Sequence, residues 1–144
     1  MKIDFWQLSR DPVEKVTALI AQRVLDQGER LLVVSGEAQQ RAAISNGLWQ
    51  AGPDSFLANG EAAAKGAERQ PILLSDTIEP ANGASHAIFA DGQFRDAPQF
   101  TRTFLLFDEA TLQHARQTWK ALSAREGLER AFFRQDGGKW VKVA

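Results

Sequence analysis

Two short runs of large aliphatic residues, RLLVVS (30–35) and PILLSD (71–76), constrain this chain more than any other feature. Successive side chains of a strand point to opposite faces, so an unbroken apolar run needs cover on both sides. Three further segments read as strands: KIDFWQL (2–8), HAIFADG (86–92) and RTFLLFD (102–108). In the first, Ile3, Phe5 and Gln7 share one face and Asp4, Trp6 and Leu8 the other.

Helical signals lie between these runs. Asp11-Pro12-Val13-Glu14 predicts a helix start, with Asp11 as N-cap and Pro12 at the first helical position. Val16, Leu19, Ile20, Val24 and Leu25 follow at helical spacing, and Gly28 ends the segment. A second helix is predicted over 37–50, although Gly47 lowers its propensity. Residues 51–70 hold few large hydrophobes and read as a long surface connection anchored by Phe56 and Leu57. Asp108 is expected to cap a helix over 109–125, with Leu112, Ala115, Trp119 and Leu122 at three- and four-residue steps. The segment 130–143 reads as a hairpin turning at Asp136-Gly137-Gly138. Strands alternating with helices imply a single three-layer α/β/α domain over 1–144, with a largely parallel central sheet and Rossmann-like layering.

Such a fold invites a nucleotide, but the loops that would hold one are missing. The first strand is followed by SRDPVEK, without glycine, and the second by SGEAQQR, with a lone Gly36 and no Lys-Ser/Thr pair. The chain has no cysteine, which excludes disulfides, thiolate catalysis and iron–sulfur ligation. Its two histidines, His86 and His114, stand in no metal-ligand spacing. Ser85 and His86, adjacent on a strand, are expected to face opposite ways, which argues against a nucleophilic triad. No cofactor or metal is expected, and a small nucleotide-binding enzyme or sensor stands as the alternative reading. No apolar run approaches the roughly 20 residues that cross a bilayer, and the N-terminus lacks a secretory apolar core, so a cytoplasmic location is expected. A net charge of −1 argues against direct binding of nucleic acid.

Charge is nevertheless unevenly spread. Residues 101–144 carry 8 Lys/Arg against 5 Asp/Glu, whereas residues 1–100 carry 9 against 13. Within the basic third, Arg116 and Trp119 are three residues apart and Arg116 and Lys120 four, so the three neighbour one another on a helix surface. A guanidinium fork, a mobile ammonium and an apolar indole wall together suit an acidic peptide with an aromatic end. The bland reading is that Trp119 is core packing and the two cations are solvated. Trp49 and Phe56, seven residues apart, are open to the same two readings.

The ordered set of these segments resembles the chi subunit of bacterial DNA polymerase III holoenzyme. The resemblance rests on the KIDFWQL strand, the RLLVVS strand, Leu48-Trp49 with Phe56, the FLLFD strand, the Ala115-Arg116-Gln117-Thr118-Trp119-Lys120 helix segment and the closing GGKWVKVA. It implies a non-catalytic subunit of the clamp-loader assembly that binds the acidic, phenylalanine-ended C-terminal tail of single-stranded DNA-binding protein. By matching position, Arg116 would meet the terminal carboxylate, Trp119 the terminal Phe and Lys120 the tail's aspartates. Trp49, Phe56 and Leu105 would complete the apolar pocket. A basic residue found in other members stands here as Leu112, which implies a thinner electrostatic rim. A second implied partner, the psi subunit, maps onto no particular residues.

Overall fold

The computed structural model describes residues 1–51, 57–136 and 139–144. Its strands are β1 (Lys2–Gln7), β2 (Leu31–Val34), β3 (Asn59–Glu61), β4 (Ile72–Ser75), β5 (His86–Phe89), β6 (Arg102–Phe107), β7 (Glu129–Asp136) and β8 (Lys139–Lys142). The α-helices among the described residues are α1 (Val13–Asp26), α2 (Ala38–Trp49) and α3 (Leu112–Leu122). All strands join one sheet in the order β3-β4-β2-β5-β6-β1-β7-β8. Every neighbouring pair is parallel except β7–β8, the hairpin expected near the end of the chain. The two residues of its turn, Gly137 and Gly138, lie outside the described residues.

The sheet is covered on both faces, as the apolar runs require. Leu31, Val33, Ile72, Leu74, Ile88, Phe104 and Leu106 pack under α1 and α2 with Trp6 and Leu8. Ile3, Phe5, Leu32, Leu73, Phe89, Leu105 and Phe107 pack on the opposite face, which carries α3. β1 sits between β6 and β7, so a segment from the start of the chain is held by two segments from its last third.

The expected helix starts shift for identifiable reasons. Pro12, not Asp11, occupies the N-cap of α1 and makes no side-chain cap. The Asp11 carboxylate instead accepts a 2.8 Å hydrogen bond from Gln135 Nε2, while Gln135 Oε1 accepts from the Arg10 and Asp11 backbone N–H groups. α3 begins only at Leu112, because Asp108 and Thr111 close a turn of their own first: the Thr111 N–H donates to Asp108 Oδ1 at 3.1 Å, and the Asp108 N–H to Thr111 Oγ1 at 3.0 Å. Residues 57–70, read as a surface connection, contain the edge strand β3 and a 3₁₀ turn at Ala67–Arg69, with Leu57 buried beneath α2. Gly47 has a packing reason: a Cβ there would lie 3.1 Å from Glu14 Cβ, so its absence lets α1 and α2 approach.

Candidate functional site

α3 lies on its own face of the sheet, and the residues that dock it decide what it offers to solvent. Ala115 and Leu122 are buried, and Leu112 packs against the same cluster. Arg116 and Lys120, on the flank of that stripe, are exposed, while Trp119 at its margin is only half-buried. Phe5 and Phe132 hold the indole edge-on, with ring centroids 5.1 Å and 5.7 Å away and interplanar angles of 86° and 87°. The Arg130 guanidinium stacks over the ring at 4.0 Å from its centroid and donates to the Trp119 carbonyl.

Beside this arrangement opens a hollow of about 320 Å3, lined by Gln7, Arg116, Trp119, Phe132, Arg134, Val143 and Ala144. Its walls come from α3, the end of β1 and the β7–β8 hairpin. Gln7, Arg134 and Val141 are register partners across β1, β7 and β8, which puts Arg134 on the α3 face. The seven ion pairs among the described residues leave Arg116, Lys120 and Arg134 without a carboxylate partner. The hollow is therefore apolar on its floor and cationic at its rim, a combination that accepts an anionic group carrying an aromatic ring.

Two other residues expected at the site, Trp49 and Leu105, do not line the hollow. Trp49 ends α2, whose buried Ile44 and Leu48 belong to the core on the opposite face of the sheet, so Trp49 and α3 are on different sides of the molecule. Leu105 is on the correct face but wholly enclosed beneath α3, where it supports the floor and reaches no ligand. Phe56 lies outside the described residues. Conversely, Arg130, Phe132 and Arg134 were not singled out from the sequence. Their alternation in Arg130-Ala131-Phe132-Phe133-Arg134 was the available signal, since every second residue of a hairpin strand shares a face.

Other recesses have different chemistry. One, about 490 Å3, runs between α1 and α2 along Ala18, Leu19, Gly47 and Leu57. Another lies at the carboxyl ends of the strands, where a fold of this kind would seat a nucleotide, and it is lined by Glu37, Asp91 and Asp108. Burial works to raise the Asp91 carboxyl, but hydrogen bonds from Arg95 and from the Gly36 and Gln93 N–H groups outweigh it and hold its pKa below the usual 3.8. Among the described residues no group of three His, Asp or Glu side chains is placed to hold a metal.

At the opposite ends of the strands, Asp4 is fully buried and paired with Arg102. Nearby, Ser85 Oγ lies 2.8 Å from His86 Nδ1 and 2.7 Å from Glu29 Oε2. The expectation that Ser85 and His86 face apart is thus corrected: Ser85 precedes β5 and is free of the strand's alternation. Its single proton points to the Glu29 carboxylate, which leaves the hydroxyl bridging two neighbours.

Fold and site together define an α/β domain with acidic strand ends and a cationic, aromatic-floored hollow on its single-helix face. The family model of the DNA polymerase III chi subunit, HolC, matches residues 1–129, and the chain belongs to that family. No curated protein matches the chain. Membership makes it an accessory component of the polymerase III replicase. No helix among the described residues is long and apolar enough to cross a membrane. Arg116, Trp119 and Lys120 fall inside the matched span, whereas the hairpin residues of the hollow lie beyond it.

Proposed function

We propose that this chain is a non-catalytic tether, binding the acidic, phenylalanine-ended C-terminal tail of single-stranded DNA-binding protein and so linking the clamp-loader assembly to coated template. The observation that carries the reading is the open hollow in which Arg116 and half-buried Trp119 meet. Arg116 takes the terminal carboxylate through its guanidinium fork, and the terminal ring packs against Trp119 and Phe132. Lys120, exposed one turn beyond Arg116, attracts the tail's aspartates. Leu105 acts from below as support. Trp49, on the opposite face of the sheet, has no part in this contact, and the connection to the clamp loader, through psi where that subunit exists, is assigned to no particular residues.

Magnitudes agree with a weak, reversible link. A charge-assisted contact from Arg116 contributes on the order of 1.5–3 kcal/mol and burial of one Phe side chain roughly the same. After association costs, a Kd near micromolar, about −8 kcal/mol, is close to the ceiling for so small a site. Fluorescence polarisation with a labelled acidic peptide ending in Phe tests it. Arg116→Ala is expected to weaken binding more than about tenfold while leaving the circular dichroism spectrum unchanged, because Arg116 is exposed and pairs with no carboxylate. Equal affinity of the wild-type chain for the peptide with and without its terminal Phe overturns the reading.

A further inference from the structure

We propose that Arg134, on the C-terminal hairpin, is the second cation of the hollow and joins Lys120 in reading the acidic side chains that precede the tail's terminal Phe. The inference rests on the tail-binding reading above and adds to it a determinant from a different part of the fold. On α3 the position one turn before Arg116 is Leu112, whose side chain packs into the core, so the helix supplies no cation on that side. The sheet does. Arg134 is exposed, lines the same hollow as Arg116, and has no carboxylate within ion-pair distance among the described residues.

Arg130, the other arginine on this face of β7, is already committed, stacked on Trp119 and bonded to its carbonyl. Arg134 is four residues further along the strand, two beyond Phe132, and retains its full donor set. Beyond it on the same face stand Val141, its partner on β8, and Val143, 42% and 51% exposed. A peptide with its last ring on Trp119 and Phe132 and its end carboxylate on Arg116 leaves the hollow over this strip. An extended chain advances roughly 3.3 Å per residue, so the side chains just before the ring pass Arg134. Arg134 lies beyond the span that matches the family model, so this half of the recognition surface belongs to the chain's own hairpin.

The test is a double-mutant cycle read by fluorescence polarisation at low salt. Wild type, Arg134→Ala and Arg134→Lys are titrated with an acidic Phe-ended peptide and with the same peptide bearing Asn and Gln in place of its acids. Lys142→Ala is the control, since Lys142 pairs with Phe133 and faces the α1–α2 side. Arg134→Ala is expected to cost about fivefold toward the acidic peptide, the upper end for an exposed charge pair, and nothing toward the neutral one, with Arg134→Lys in between. An Arg134→Ala affinity equal to that of the Lys142→Ala control, or an equal loss toward both peptides, overturns the proposal while Arg116-dependent binding stands. Absence of wild-type binding to either peptide overturns the tail-binding reading itself. Unchanged urea unfolding of Arg134→Lys keeps the comparison meaningful if the alanine variant is unstable.

Discussion

A tryptophan at a core position of an amphipathic helix usually sinks into the sheet, and Trp119 does not because two rings already occupy the floor. Phe5 and Phe132 stack at 6.2 Å and meet the indole edge-on, so its remaining surface stays open to the hollow. Arg130 fixes the indole from above, which makes Trp119 a preorganised wall. A second residue whose surroundings set its behaviour is His86. Burial lowers its pKa from the usual 6.5, Glu29 opposes that, and Arg102 adds to the lowering. Arg23 of α1 and Gln27 just past its end line the same recess. Below pH 6.5 the unfolded chain takes up a proton that folded His86 refuses, so stability is full above that pH and falls as the medium is acidified toward the folded pKa. The urea midpoint of the wild type is expected to drop between pH 7.5 and 5.5, and His86→Gln to show a smaller drop. Parallel pH slopes for the two proteins would remove His86 from the account.

The link between β5 and α3 depends on a glycine that only the folded chain explains. Gly92 has a φ of 76°, and a Cβ there would lie 2.7–2.9 Å from three atoms of Thr111, the N-cap residue of α3. Gly92→Ala therefore combines left-handed strain of about 1 kcal/mol with displacement of the Asp108–Thr111 turn, for a total of about 2 kcal/mol. Gly83→Ala is the matched control, since Gly83 has a φ of 74° with nothing within 4 Å and should lose only the strain. Equal unfolding midpoints for the two variants would mean that Thr111 moves aside at no cost. Elements of this kind also mark how far the sequence could be read. The strands were legible because double burial leaves no polar face, as in Leu31–Val34 and Ile72–Ser75. Helix starts were not, because Asp11 answers to Gln135, some 124 residues away. The helix-borne half of the hollow was visible in the local spacing of Arg116, Trp119 and Lys120. The strand-borne half depends on the register that sets Arg134 beside Gln7 and Val141, and the separation of Trp49 from α3 was not legible because spacing does not tell which face of a sheet a helix covers.

For the molecule as a whole, the consequential fact is that β1 is interior to the sheet yet first in the chain. Lys2 pairs with Arg102 on one side and with Glu129 on the other, so the centre closes only when the last third of the chain arrives. β7 matters doubly: it covers the edge of β1 and brings Phe132 against Phe5 and Phe133 against Trp6. β8 adds Trp140, 4.6 Å from Trp6, and the exposed valines beside Arg134. Two truncations separate these roles. A chain ending at residue 128 leaves β1 as a six-residue edge with Phe5 and Trp6 stripped of their hairpin rings, and it is expected not to fold. A chain ending at residue 136 retains β7 and Arg116, loses the Trp140 contact at a cost of about 2 kcal/mol, and should still unfold cooperatively. Its affinity for an acidic Phe-ended peptide is expected to fall severalfold, because the Val143 wall is gone while the helix-borne contacts remain. Urea unfolding followed by tryptophan fluorescence decides the first pair of outcomes and peptide titration the second. Cooperative unfolding of the shorter chain would show that β6 alone suffices to hold β1; otherwise the span that matches the family model, residues 1–129, is narrower than the unit that folds.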